Sequence, residues 1–238
     1  MGMPVVVDIV GGTTDIQDQI FDYFTSIDER FSTYKHDSEI SKINRKEITP
    51  ADYSSEMKEV LALCEETKKE TMGYFDIVTP EGIIDPSGLV KGWAIRNAAH
   101  IAVTEGYSDF WVEAGGDIQT SGVNADGSAW SVGICNPFNR DEIIKVVYLQ
   151  NDGIATSGTY IRRNHIYNPH AHSSSRSAIV SITVIGPDVY EADRFATPAF
   201  AMGEEGVHFI EQLPGFEAYS INEQGIATMT TGFARYTA

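Results

Sequence analysis

Cysteines, basic residues and long apolar runs are all scarce in this chain of 238 residues. Cys64 and Cys135 are the only cysteines and lie far apart, so neither a disulfide framework nor a zinc knuckle is expected. No apolar run approaches the roughly 18 residues of a membrane span, and the N-terminus lacks a basic segment followed by an apolar one. We therefore expect a protein with no membrane span that is cytoplasmic in this form; export of a longer precursor stays open.

The charge is strongly acidic. The chain has 17 Lys and Arg residues against 34 Asp and Glu residues, a net charge of −17 at pH 7. This charge opposes attraction to nucleic acid and to anionic lipid, so we expect no nucleic-acid partner. A phosphate-bearing ligand would need local positive potential from backbone N–H groups, a bound cation or a well-placed lysine.

The remaining composition, 42% hydrophobic and 21% charged, is that of a globular protein. Period-2 and period-3.6 patterns are mingled without a regular βαβ alternation, which predicts an α+β fold with largely antiparallel sheets. No linker divides the chain, so we expect one domain over 1–238. The predicted strands are 5–10, 110–113, 129–134, 143–149, 178–185, 216–221 and 225–230. The predicted helices begin at a capping box, Thr14 with Gln17, and near residues 54, 88, 190 and 207.

Two segments could bind a phosphate or a metal. In the first, Asp85-Pro-Ser-Gly88 opens into a helix that carries Lys91 one turn in, and a helix N-terminus favours anions. In the second, Asp193 and Thr197 are four residues apart on a helix, so a carboxylate and a hydroxyl share one face and could bind Mg²⁺. On spacing alone, a turn with a helix cap and a surface carboxylate beside a threonine are the favoured explanations of these segments.

Other motifs are weaker. The paired glycines before Asp117 and the segment 155–158 permit close backbone approach to a ligand, but tight turns without a ligand look the same. His165 lies in a loop with two more histidines. No second group of zinc ligands accompanies them, so a zinc site is disfavoured.

In their order along the chain, these pieces resemble the ApbE family of FAD:protein FMN transferases. The resemblance spans nearly the whole chain. It is carried by Met1-Gly2, the string from Phe31-Ser-Thr-Tyr34 to Asp37-Ser-Glu39, Gly73-Tyr74-Phe75-Asp76, the segment from Asp85 to Gly92, Gly115-Gly116-Asp117, Ala155-Thr-Ser-Gly158, His165-Ile166, and Ala192-Asp193-x-x-Ala196-Thr197 with Phe200-x-Met202-Gly203.

The resemblance implies a two-part α+β fold with FAD in a cleft between the parts. It implies Mg²⁺ held by the main-chain carbonyl of Gly88 and by Asp193 and Thr197. The residues implied to line the FAD site are Met1, Tyr34, Tyr74, Phe75, Asp76, Asp85, Lys91, His165 and Ile166.

The implied reaction moves FMN from FAD to a Thr or Ser hydroxyl of a target flavoprotein and releases AMP. Asp193 and His165 are the implied catalytic residues, with His165 as the acceptor of the hydroxyl proton. Two alternatives stay open: a Mg²⁺-dependent FAD pyrophosphatase that gives FMN and AMP, and a non-catalytic FAD-binding protein. The chain departs from the family pattern at Asn168, where an aspartate is usual after His165-Ile166, and at Pro198.

Overall fold

A computed structural model describes residues 2–159 and 179–237. The helices are α1 Thr14–Phe31, α2 Glu39–Asn44, α3 Ser55–Glu70, α4 Ser87–Thr104, α5 Val189–Met202 and α6 Glu205–Glu211. The strands are β1 Val5–Ile9, β2 Phe110–Ala114, β3 Asp117–Ser121, β4 Trp130–Asn136, β5 Asn139–Leu149, β6 Gly153–Gly158, β7 Ile179–Gly186, β8 Glu217–Asn222 and β9 Ala227–Met229. A 3₁₀ helix, Phe233–Tyr236, follows.

The strands form two sheets. The larger has seven strands in the order β1-β2-β3-β6-β7-β8-β9, and every neighbouring pair is antiparallel. The smaller is the antiparallel pair β4 and β5, which we call the β4–β5 arm. The predicted α+β class with largely antiparallel pairing is confirmed.

Side chains cap the N-termini of some helices by accepting hydrogen bonds from backbone N–H groups that have no partner within the helix. Ser54 caps α3, because its hydroxyl accepts from the amide of Met57 at 3.1 Å. The predicted capping box at Thr14 is wrong: Thr14 is already the first helical residue, and the residue before it, Thr13, makes no side-chain cap. The sequence pattern does not predict the short helix α2. It has only six residues and begins after Ser38, whose hydroxyl accepts from Ser41 at 3.2 Å.

Two strands, β3 and β6, are also absent from the sequence prediction. Both bury polar side chains, among them Asp117, Gln119 and Ser157, so their sequences lack the alternation of apolar and polar residues that marks a half-buried strand. They pair with each other in the middle of the large sheet. The polar groups are satisfied by partners distant in sequence; the side-chain oxygen of Gln119, for example, accepts from the amide of Val189 at 2.8 Å.

The apolar core is divided among three clusters. One joins α1, α3 and α4 to β1 and β2, a second joins α5 and α6 to β7 and β8, and a third lies beneath the β4–β5 arm. Helices α4 and α5 belong chiefly to different clusters but pack directly against each other. Their crossing, which we call the α4–α5 seam, is centred on Gly92 and Asp193. Among the described residues, no helix combines the length and apolar character needed to cross a membrane.

Candidate metal and dinucleotide site

The α4–α5 seam is tight because Gly92 has no side chain. A Cβ at this position would lie 2.6 Å from the Cβ of Asp193 and 2.7 Å from the carbonyl oxygen of Val189. The close approach lets the amide of Gly92 donate to Oδ2 of Asp193 at 2.8 Å. Glycine at 92 therefore fixes where the Asp193 carboxylate lies.

Three ionisable side chains meet beside this hydrogen bond. The ammonium of Lys91 forms an ion pair with Oδ2 of Asp117 and lies 3.7 Å from Oδ1 of Asp193. The Asp117 side chain is 1% exposed and that of Lys91 only 12%. Burial raises the pKa of Asp193 to about 7; the ammonium of Lys91 opposes this rise, and the nearby carboxylate of Asp117 adds to it.

Hydroxyl groups continue the site along α5. Thr197 lies one turn after Asp193, and its hydroxyl is 3.5 Å from that of Ser157 on β6. Gly88, in the first turn of α4, lies against Thr197: a Cβ on Gly88 would be 3.7 Å from the Thr197 hydroxyl oxygen and 3.3 Å from the ring of Phe75. The predicted ligands Gly88, Asp193 and Thr197 are therefore brought together.

This donor set fits Mg²⁺. A buried carboxylate, a hydroxyl and a backbone carbonyl are hard oxygen ligands, which Mg²⁺ prefers to complete with water and phosphate oxygens. Within residues 2–159 and 179–237, no cluster of three or more His, Cys, Asp or Glu side chains is placed to hold a metal.

Asp85 organises the N-terminus of α4. Its carboxylate accepts from the amide of Ser87 at 3.0 Å, and its own amide donates to the carbonyl of Ile77 at 2.8 Å. The side chain of Asn44 bonds both polar backbone groups of Ile84, at 2.8 and 2.9 Å, which holds the preceding segment against α2. The helix start is thus fixed by contacts from two sides.

Phe75 and Asp76 are also anchored. The amide of Phe75 donates to the hydroxyl of Thr71 at 3.1 Å, and the Phe75 ring is buried against Gly88. The carboxylate of Asp76 pairs with Lys68 at 2.7 Å and accepts from an amide two residues on. Tyr74 lies between these residues and the end of α3 and is half-buried.

The remaining predicted site residues are highly exposed or lie outside the described residues. Tyr34 lies in the turn between α1 and α2, and 86% of it is exposed. Met1, His165 and Ile166 lie outside the described residues, so their predicted roles stay predictions.

The sequence places Asp117 and Ser157 within candidate motifs but predicts no role for either side chain in the site. Asp117 follows the two-residue turn Gly115-Gly116, where both glycines have positive φ, and it opens β3 opposite Ala114. Its Oδ1 accepts from the amide of Thr156 on β6 at 3.1 Å. A carboxylate directly after a two-glycine hairpin turn is the available signal, but its place beside Lys91 depends on the unpredicted pairing of β3 with β6.

Comparison with known sequences gives one family. The sequence model of the ApbE family matches residues 1–81 and 78–220. The FAD:protein FMN transferase of Escherichia coli K12 is 29% identical over 161 residues, which cover 64% of this chain and 46% of that protein. The protein of the same name from Haemophilus influenzae is 24% identical and covers 86% of this chain and 78% of its own. The match spans about half the length of the first of these relatives.

Solved structures share the fold. The flavin transferase ApbE from Vibrio cholerae superposes with a TM-score of 0.85 at 22% identity, covering 99% of this chain and 96% of that one. The apbe protein from Thermotoga maritima gives a TM-score of 0.80 at 20% identity, with 99% of each chain covered. These likenesses establish the fold.

Proposed function

Because the chain belongs to the ApbE family, we propose that it transfers the FMN moiety of FAD to a Thr or Ser hydroxyl of a target flavoprotein. The phosphorus of FMN forms a new bond to the acceptor oxygen, its bond to the AMP phosphate oxygen breaks, and the acceptor proton is released. We propose that residues 1–238 act as one transferase domain. The observation that carries the proposal is the buried Asp193 carboxylate, which lies one helical turn from Thr197 and beside the start of α4.

The start of α4 and the α4–α5 seam would hold the diphosphate of FAD. Helix N-termini favour anions, and Gly88 leaves room for a ligand oxygen close to Thr197. Mg²⁺ bound by Asp193, Thr197 and the Gly88 carbonyl would supply positive charge to the diphosphate oxygens. This local positive charge would offset the repulsion between a phosphate-bearing ligand and a protein of net charge −17.

The remaining site residues would hold the rings and ribose of FAD. Phe75 offers an apolar wall next to Gly88, while Asp76 and Asp85 are fixed by local hydrogen bonds and could orient donors of the ligand. Tyr34 has an exposed ring that can cover a flat ligand. We keep Met1, Tyr74, Lys91 and Ile166 as further residues of this site.

The acceptor hydroxyl must lose a proton as the new phosphoester forms. His165 is the proposed acceptor, because an imidazole can take up a proton near neutral pH. Replacement of His165 by Ala should then reduce transfer and leave FAD binding intact. Transfer chemistry of this kind depends mainly on alignment and on charge stabilisation.

The proposal is tested by mass spectrometry of a candidate acceptor domain after incubation with this protein, FAD and Mg²⁺. We expect one FMN to be added to a Thr or Ser of the acceptor. Asp193→Asn keeps a hydrogen-bond acceptor for Gly92 but removes the charge, and should reduce transfer by roughly a hundredfold or more. Asp188→Asn is the matched control on the same helix: Asp188 caps α5, and asparagine caps a helix as well as aspartate does.

The outcomes separate the candidate functions. FMN on the acceptor that disappears in Asp193→Asn and persists in Asp188→Asn supports the transferase. FMN and AMP without any gain in the acceptor mass would instead indicate a FAD pyrophosphatase. FAD that binds but stays intact for hours with Mg²⁺ and acceptor would indicate a binding protein, and would contradict the proposal.

A further inference from the structure

Two aspartates share one lysine in the α4–α5 seam. Each carboxylate has one oxygen held by a backbone amide: Oδ1 of Asp117 accepts from Thr156 at 3.1 Å, and Oδ2 of Asp193 accepts from Gly92 at 2.8 Å. The other oxygen of each carboxylate faces the ammonium of Lys91. The carboxylates are therefore fixed by the main chain, and the lysine is the cation that they share.

The sharing is unequal. The ammonium is in direct contact with Asp117 and lies 3.7 Å from Asp193. Since all three side chains are removed from bulk water, their charges are weakly screened. When both carboxylates are ionised, two carboxylates and one ammonium leave one negative charge, and because Lys91 is closer to Asp117, that charge lies mainly on Asp193.

We propose that Asp117 is a positioning residue that sets the cation affinity of Asp193 and Thr197 by holding the Lys91 ammonium away from Asp193. This inference rests on the proposed function, in which Asp193 and Thr197 bind a divalent cation. Without the charge of Asp117, Lys91 would neutralise Asp193 and compete with the metal. Without the charge of Lys91, both carboxylates would attract the metal.

The two substitutions thus have opposite expected effects. Asp117→Asn keeps an acceptor for the Thr156 amide and removes the charge, so cation affinity should fall by roughly tenfold or more. Lys91→Met keeps an unbranched apolar side chain that is one heavy atom shorter and removes the ammonium, so affinity should rise by roughly tenfold or more. The double variant restores the charge balance and should return to within about threefold of the parent affinity.

The test is a titration of the full chain with Mn²⁺ alone, followed by the relaxation of water protons at constant ionic strength. Mn²⁺ accepts the same hard oxygen ligands as Mg²⁺. Far-ultraviolet circular dichroism and thermal unfolding confirm that each variant is folded. Arg45→Met is the charge control, because Arg45 forms an exposed ion pair with Glu47 at the protein surface, and it should leave the affinity unchanged.

The results distinguish this inference from the proposed function. Opposite shifts in the single variants with recovery in the double variant support it. A fall in both single variants, or no difference among them, would overturn it, because Lys91 would then be only a structural ion-pair partner. If Asp193→Asn binds Mn²⁺ as the parent does, the metal site of the proposed function fails as well.

Discussion

The α4–α5 seam and the β4–β5 arm differ in the kind of side chain that they bury. At the seam, Gly92 lies against backbone and Cβ atoms, and the enclosed side chains Lys91, Asp117 and Asp193 are charged. On the arm, one face carries buried apolar side chains such as Leu149, and the other face is exposed to solvent. The seam buries polar groups that cost stability unless they are paired, while the arm contributes an ordinary apolar core.

This difference indicates where the molecule can tolerate change. At Gly92 the seam has no room for a side chain, and the charges of the seam have fixed partners, so a small shift there alters the geometry of the candidate site. The arm can lose or gain atoms on its outer face with little consequence, because solvent and flexible side chains take up the change. Stability and the geometry of the site should therefore respond separately to substitutions in the two regions.

The largest expected loss of stability comes from the inner face of the arm. Leu149→Ala removes a side chain that is fully buried and packs in the cluster beneath the arm, and should lower the free energy of unfolding by about 2–5 kcal/mol. Urea unfolding measures this loss. The Mn²⁺ affinity of the molecules that remain folded should stay within about twofold of the parent, because Leu149 packs among apolar side chains beneath the arm, whereas the seam charges are held by α4, β3 and α5.

A change in Mn²⁺ affinity larger than this would contradict the separation of the two regions. Val6→Ala is the control for the urea experiment. Val6 is about half exposed on β1, so the same kind of truncation should cost less than about 0.5 kcal/mol there.

An intermediate loss is expected at the seam itself. Gly92→Ala places a Cβ 2.6 Å from the Cβ of Asp193, so α4 and α5 must separate. Alanine improves helix propensity by about 1 kcal/mol, but overpacking should outweigh this gain and leave a net loss of about 1–3 kcal/mol. In contrast to Leu149→Ala, this variant should also lose at least roughly tenfold in Mn²⁺ affinity, because the hydrogen bond that fixes Asp193 is displaced.

Urea unfolding and Mn²⁺ titration of the same preparation check both parts of this prediction. A stable Gly92→Ala variant with parental Mn²⁺ affinity would show that α4 and α5 can accommodate a Cβ without displacing Asp193, and that close packing does not require a glycine at this position.

The two regions also differ in how far the sequence predicts them. Most of the arm is predictable, because β4 alternates buried and exposed residues and the second half of β5 is rich in apolar, β-branched residues. The polar start of β5, residues 139–142, carries no such signal, and the predicted strand begins only at 143. The helices of the seam are predicted close to their observed starts, although both are buried on most sides and α4 has little apolar periodicity. The spacing of Asp193 and Thr197 indicates a shared face of α5. The place of Asp117 is not predictable in this way. It depends on β3 and β6, whose buried polar residues find their partners only in the folded chain.

The smallest effect is expected at Gly133 on the outer face of the arm, and it gives the sharpest test of the comparison. A Cβ there would lie 2.7 Å from the tip of Ile143, nearly the same overlap as that at Gly92. The obstructing atom, however, is the end of a flexible side chain that is half exposed, so Ile143 can rotate into solvent. Alanine also suits a strand better than glycine does, and Gly133→Ala should change the free energy of unfolding by less than about 0.5 kcal/mol.

Urea unfolding of both glycine variants side by side measures the contrast. Equal losses at Gly92 and Gly133 would mean that overlap distance alone decides the cost; a loss confined to Gly92 would mean that the freedom of the neighbouring atom to move decides it.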